Sequence, residues 1–335
     1  MALIDLVIIL LFYFSGVPLN ALMSIRRALK GKFKKMEKLT EDDQLVFFYH
    51  KCKCNTTFNS LAVHYDLPPA YLSQAFENVE QILFVHAEEN IWFLSEEQNK
   101  LTMPESFQKN YPQCSGIIDC FEIKTEVPSR VDQAILAFSN YKKGFTIKVL
   151  VCTAPCGLIQ FISQGFGGRA TDGQITIQAG FLPFIKPPMQ IMQDKGFISV
   201  EEDIIRHGGL VIMPPVRRQK RQLNPKQRNE NLKVAIDRVH VERGIERLRR
   251  FKVMKFMSHH MYKHCNKLLV ILSYTVNCFP ALIRDPNCIY NEKVEEEEEL
   301  TNEEIDAIIK DFEEEFEVND EVEGNDEIRG RANSL

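Results

Sequence analysis

The sequence contains no CxxC pair, and its nine cysteines are scattered at Cys52, Cys54, Cys114, Cys120, Cys152, Cys156, Cys265, Cys278 and Cys288. Such spacing in a chain of 335 residues excludes a small disulfide scaffold and fits a reducing compartment. Zinc has little to hold it either. Without a CxxC pair, Cys52/Cys54 and Cys152/Cys156 are weak zinc candidates, and His260 and His264, one helical turn apart, have no evident third ligand. No internal repeat of a useful period is present, which excludes a solenoid. No positive charge precedes the apolar run 2–14, so the run does not fit the expected pattern of a secretory signal. That run carries Asp5 and is short for a membrane span unless 17–25 extends it across Gly16 and Pro18. A buried helix or a misplaced start codon is favoured over a membrane anchor. What is present is a hydrophobic share of 44% with 10% aromatics, enough for one large core or two medium ones.

The net charge of −5 conceals an asymmetry. Of the 41 basic and 46 acidic residues, the stretch 292–327 holds 2 and 19, leaving 39 against 27 elsewhere, a body of about +12. A basic body with a separate acidic tail points to a polyanionic partner, since clustered Lys and Arg neutralise phosphates and release counterions. DNA is the expected partner. Such tails are usually solvated and disordered. This one also places Ile305, Ile308, Ile309, Phe312 and Phe316 along a helical stripe after a capping box at Thr301 and Glu304, so a helix over 300–316 could dock on a protein partner or compete with DNA for the basic body.

The expected organisation is an apolar then basic segment (1–39), a helical domain with a helix-turn-helix outline (40–100), an α/β domain (111–284) and the acidic tail (292–335). In the helical domain Thr40 is a cap, Leu45, Phe48 and Tyr49 fall at helical spacing, and a helix over 58–65 is broken by Asp66, Pro68 and Pro69 before another over 70–83. Packing and base reading are both open for these helices. Strands are expected at 116–123, 145–152, 158–163, 190–193 and 210–213, with helices at 172–181, 225–251 and 258–277. Interleaved strands and helices make the domain α/β.

Three acids stand out. Asp119 sits inside the apolar run Ile117, Ile118, Asp119, Cys120, where a carboxylate is costly unless a metal or another cation compensates it. Asp194 lies where a short strand opens into a turn, the place where α/β sheets present functional groups. Glu242 lies in the long helix, followed by Arg243, Arg247 and Arg250. Taken singly, each is more often a cap, an ion pair or a solvated group, and an ion pair of Glu242 with Arg238 is the plain alternative. Together, two strand carboxylates and one helix carboxylate are what metal-assisted phosphoryl transfer needs, because oxygen ligands suit Mg²⁺. Asp172 and Glu122 are reserve acids for the same pocket.

The runs CSGIIDCFEI (114–123), FSNYKKGFTIKVLVCTAPCGLIQFIS (138–163), GGRATDGQIT (167–176), IMQDKGF (191–197), LVIMPP (210–215) and HVERGIERLRRFKVM (240–254) occur in the order of a known family. Over 111–283 the chain resembles the DDE superfamily endonuclease domain of PIF/Harbinger-like and THAP-associated transposases. The segment SLAVHYDLPPAYLSQAF also resembles that family's helix-turn-helix, although Pro68 and Pro69 replace its polar residues and Phe121 stands where it usually has Thr. No Cys/His set of the THAP kind occurs in 1–39. The resemblance implies an α/β, RNase H-like mixed sheet flanked by helices. It also implies a nuclear DNA endonuclease and strand transferase with a two-metal mechanism, in which Asp119, Asp194 and Glu242 hold Mg²⁺ or Mn²⁺. Phosphate contacts are expected from Lys142, Lys143, Lys195, Arg217, Arg218, Lys220, Arg221, Arg243 and Arg247, and a homo-oligomer is compatible with this reading. The alternative is a domesticated, non-catalytic derivative that binds DNA or a protein.

Overall fold

The computed structural model describes residues 12–214 and 225–282. The apolar start (1–11), the basic run with Arg217, Arg218, Lys220 and Arg221, and the acidic stretch 292–335 lie outside the described residues. Among the described residues no helix is long and apolar enough to cross a membrane.

Among the described residues, helices precede the sheet: α1 (Leu19–Leu29), α2 (Glu41–Cys54), α3 (Phe58–Tyr65), α4 (Pro69–Glu89), α5 (Glu96–Thr102) and α6 (Glu105–Asn110). Their starts follow from local chemistry. Thr40 and Asp43 form a reciprocal capping box at α2, and Thr57 accepts from the Ser60 amide at α3. Asp66 closes α3 in the left-handed conformation, and Pro69 opens α4 at a position that needs no amide donor. The helix then runs to Glu89, six residues beyond the apolar spacing expected to end at Leu83, because its far end packs along the helix Cys265–Asn277.

β1 (Cys114–Thr125) follows, then α7 (Val131–Ala137), β2 (Phe138–Ser139), β3 (Gly144–Thr153), β4 (Ile159–Ile162), β5 (Phe166–Gly167) and α8 (Asp172–Gln178). β6 (Gln190–Met192), α9 (Glu201–Arg206), β7 (Leu210–Ile212), α10 (Pro225–Arg249), β8 (Phe256–Met257) and α11 (Cys265–Asn277) come next. The stretch 258–277, expected as one helix, is divided: a 3₁₀ segment over His259–His264 precedes α11. The sheet runs β2-β3-β1-β6-β7, with β4 and β5 against β3 and β8 against β1. β1 pairs antiparallel with β3 and parallel with β6, and β6 pairs parallel with β7. It is a curled mixed sheet with helices on both faces.

The pleat sorts β1 onto two faces. Ile117, Phe121 and Ile123 join a core with Val241, Ile245 and Leu248 of α10 and with α11, whereas Ile118 joins a second core with Leu150, Ile175 and Phe197. Asp119, between Ile117 and Phe121 in that alternation, therefore belongs to the α10 face.

The first core does not stop at the sheet. Phe76 of α4 stacks on Phe48 of α2 at 4.8 Å and meets His264 edge-on at 5.3 Å. Glu80 of α4, buried, accepts from or pairs with His264 Nδ1 at 2.8 Å and with Lys267 Nζ at 3.5 Å. The Tyr49 hydroxyl lies 2.9 Å from Thr275 Oγ1. The buried face of α4 is thus occupied by α2, α3 and α11.

Candidate active site

Asp119 is held near the middle of β1 by the ladder to β3, where it stands opposite Val151. Its side chain keeps 22% exposure, and its Oδ1 accepts from the Cys120 amide at 2.8 Å. Burial pushes its carboxyl up to about 6, against the opposing pull of Arg238 and of that amide, while Asp194 and Asp172 push it up further. Asp194 follows β6, which lies beside β1, so parallel pairing carries its carboxylate to the neighbourhood of Asp119. It caps the 3₁₀ turn Lys195–Val200, its Oδ1 accepting from the Gly196 amide at 2.5 Å. Glu242 projects from α10 with 56% of its side chain exposed.

One side chain touches all three. The Arg238 guanidinium, one turn before Glu242, lies 3.2 Å from Glu242 Oε1, 3.4 Å from Asp194 Oδ2 and 3.8 Å from Asp119 Oδ2. The first of these is a hydrogen bond donated by Nη2; the other two are ion-pair distances. The sequence spacing shows Arg238 as a neighbour of Glu242 only. Its reach to Asp119 and Asp194 is long-range, depending on how α10 crosses the sheet, and no local pattern encodes that.

The reserve acids divide. Glu122 is engaged by the Thr146 hydroxyl at 2.7 Å, on the other face of the sheet. Asp172, at the start of α8, pairs with Lys148 Nζ at 2.6 Å, and both are largely shielded. The Cys120 thiol also lies in hydrogen-bonding contact with Asp172; burial raises that thiol far above its usual range. A Cβ placed on Gly196 would fall 2.9 Å from Asp172 Oδ2 and 2.9 Å from Asp194 Oδ1, so both carboxylates crowd the space beside the Gly196 backbone.

The expected phosphate contacts are spread out. Lys195 is exposed beside Asp194, and Arg243 is exposed on α10. Lys142 and Lys143 are exposed at the β2–β3 turn, with the Lys142 ammonium 4.7 Å above the Tyr141 ring and Lys143 at φ 52°. Arg247 is half-buried and lines an apolar cavity of about 100 Å³ with Leu158, Val276, Phe279 and Leu282; burial and Arg250 lower its pKa. Arg247 is therefore not gathered with the acids. His240, between Arg238 and Glu242 in sequence, packs on Phe107 with ring centroids 5.6 Å apart. Burial and the nearby Arg243 lower it to about 4, so it is a neutral packing residue at pH 7.

A divalent cation can be tested against this donor set. Three carboxylates already face a single positive charge, and the most buried of them is pushed toward its neutral form, so the site is short of cations. Among the described residues no three His, Cys, Asp or Glu side chains stand close enough, as they are, to hold a metal ion. The Arg238 guanidinium lies within 3.8 Å of an oxygen of each acid. The oxygen chemistry fits a hard cation, and the space it would need is the space Arg238 fills.

Residues 118–277 match the sequence model of a family described as DDE superfamily endonuclease. The match includes Asp119, Asp172, Asp194, Arg238 and Glu242. No curated protein and no solved structure matches the chain.

Proposed function

We propose that the chain is a transposase-like, divalent-metal-dependent DNA endonuclease and strand transferase acting at Asp119, Asp194 and Glu242. The observation that carries this reading is the meeting of those three acids, from a strand, the turn after a second strand and a helix, at one cation within the segment that matches the endonuclease family. Asp119, Asp194 and Glu242 would hold the metal, which would supply Lewis-acid stabilisation of the leaving oxygen and an activated nucleophile. Asp119 is fixed in direction by β1 and the Cys120 amide, and Asp194 by the Gly196 amide. Glu242, on an exposed helix face, is the most adjustable of the three. Lys142, Lys143, Lys195 and Arg243 would hold the backbone of the duplex without reading its sequence, so binding should weaken steeply with salt.

The test is nicking of supercoiled plasmid by the purified chain. Nicks should accumulate with Mn²⁺ or Mg²⁺ and not with EDTA. Equal nicking with and without the metal, or none with either ion, contradicts the reading. A second reading, a non-catalytic DNA-binding derivative, is favoured by Arg238 standing among the acids, and it predicts DNA binding without cleavage in the same experiment.

Gly196 provides a finer expectation. A methyl there meets both carboxylates, so Gly196→Ala should displace Asp194 and reduce nicking on the order of 10- to 100-fold while leaving the melting temperature within a few degrees. Nicking at the wild-type rate would show that the position of Asp194 does not matter.

A further inference from the structure

We infer that Arg238 exchanges partners: without metal its guanidinium neutralises Asp119, Asp194 and Glu242, and when divalent cations enter it is displaced and becomes a ligand of the DNA phosphate at the same site. This rests on the metal-dependent reading above and adds a residue to it. Three carboxylates surround a single guanidinium, so the cluster as it stands remains under-neutralised. A divalent cation binding the same oxygens would repel the guanidinium at a few ångströms and would satisfy the acids better than its long contacts of 3.4 and 3.8 Å to Asp194 and Asp119 do.

Only the bond to Glu242 is of hydrogen-bond quality, and Glu242 is the exposed member of the set. Arg238 Nε is buried and donates to nothing among the described residues. The side chain is therefore held by charge more than by geometry, and a rotation about its stem releases it. A displaced guanidinium needs an anion of matching shape. A phosphate diester at the metal supplies two oxygens in the spacing that a guanidinium fork reads. Lys could not take the role equally well, since it offers a point charge rather than a planar pair of donors.

Opposite changes in two binding constants test the exchange. For Arg238→Gln, Mn²⁺ binding measured by titration calorimetry should tighten on the order of tenfold, because a competing cation has been removed. Binding of a short duplex, measured by anisotropy in Ca²⁺ without turnover, should weaken on the order of five- to tenfold, while in EDTA the two proteins should bind alike. Arg238→Lys should recover less than half of the lost free energy of duplex binding in Ca²⁺. A purely structural arginine would lower both affinities or neither, and either result overturns the proposal, as does weaker Mn²⁺ binding alone. Asp119→Asn in the same titration separates the two readings. If it binds Mn²⁺ as the wild type does, the metal assignment fails; if it loses Mn²⁺ while Arg238→Gln is unchanged from the wild type, only the exchange fails.

Discussion

Asp119→Asn is expected to abolish nicking and, in the same preparation, to stabilise the metal-free protein at pH 7 by roughly 2–3 kcal/mol. Both effects have one cause. Burial lifts the Asp119 carboxyl from 3.8 to about 6 in the folded chain, so the fold binds a proton there more tightly than the unfolded chain does. The contribution of this group is undiminished below about 4 and is progressively lost as pH rises through about 6. Asparagine keeps the shape and the acceptor for the Cys120 amide while removing the buried charge. Denaturant melts with EDTA at pH 4.5 and pH 7 measure this directly. The wild type should lose stability relative to the variant across that interval. A variant less stable than the wild type at pH 7 would show that the ion pair with Arg238 outweighs the burial of Asp119, and retained nicking would remove Asp119 from the chemistry.

Phe76→Ala should lower the unfolding free energy by about 3–5 kcal/mol, the usual result of emptying a fully buried aromatic site. The more telling expectation is the number of transitions. Phe76 touches Phe48 of α2, Phe58 of α3 and His264 just before α11, and the neighbouring Glu80 ties α4 to the same segment through His264 and Lys267. The helices before the sheet share a core with it, so one cooperative transition should shift as a whole in scanning calorimetry. Two transitions, with only one moved by Phe76→Ala, would show that the helical segment folds by itself and that α4 is free to act as a separate DNA-reading unit.

The legible parts of the chain are those whose signals are local. Thr40 with Asp43, Asp66 and Pro69 mark helix ends through capping and backbone chemistry, and the alternation in β1 and β3 marks two-faced burial. The acids could be named because motif order placed them within 118–277. Less legible was everything set by crossing angle and register. Arg238 reads as a helix-surface ion pair in sequence, yet the crossing of α10 over the sheet brings it to Asp119 and Asp194. Asp172 reads as a reserve acid for the pocket, and it is held by Lys148 while its Oδ2 lies beside the Gly196 backbone. The length of α4 was underread because its last turns owe their stability to α11, a partner almost two hundred residues away in the chain. The half-buried Arg247 was counted with the exposed arginines of its helix because a spacing of four and three does not say which stripe faces a cavity.

The central claim is that Asp119, Asp194 and Glu242 form one divalent-metal site from which Arg238 withdraws. Crystals soaked in Mn²⁺ and measured at its absorption edge test it most directly. The account predicts anomalous density bonded to oxygens of all three acids, with the Arg238 guanidinium moved out of the cluster. Full anomalous occupancy elsewhere, with Arg238 still bridging the three carboxylates at high Mn²⁺ concentration, would contradict it.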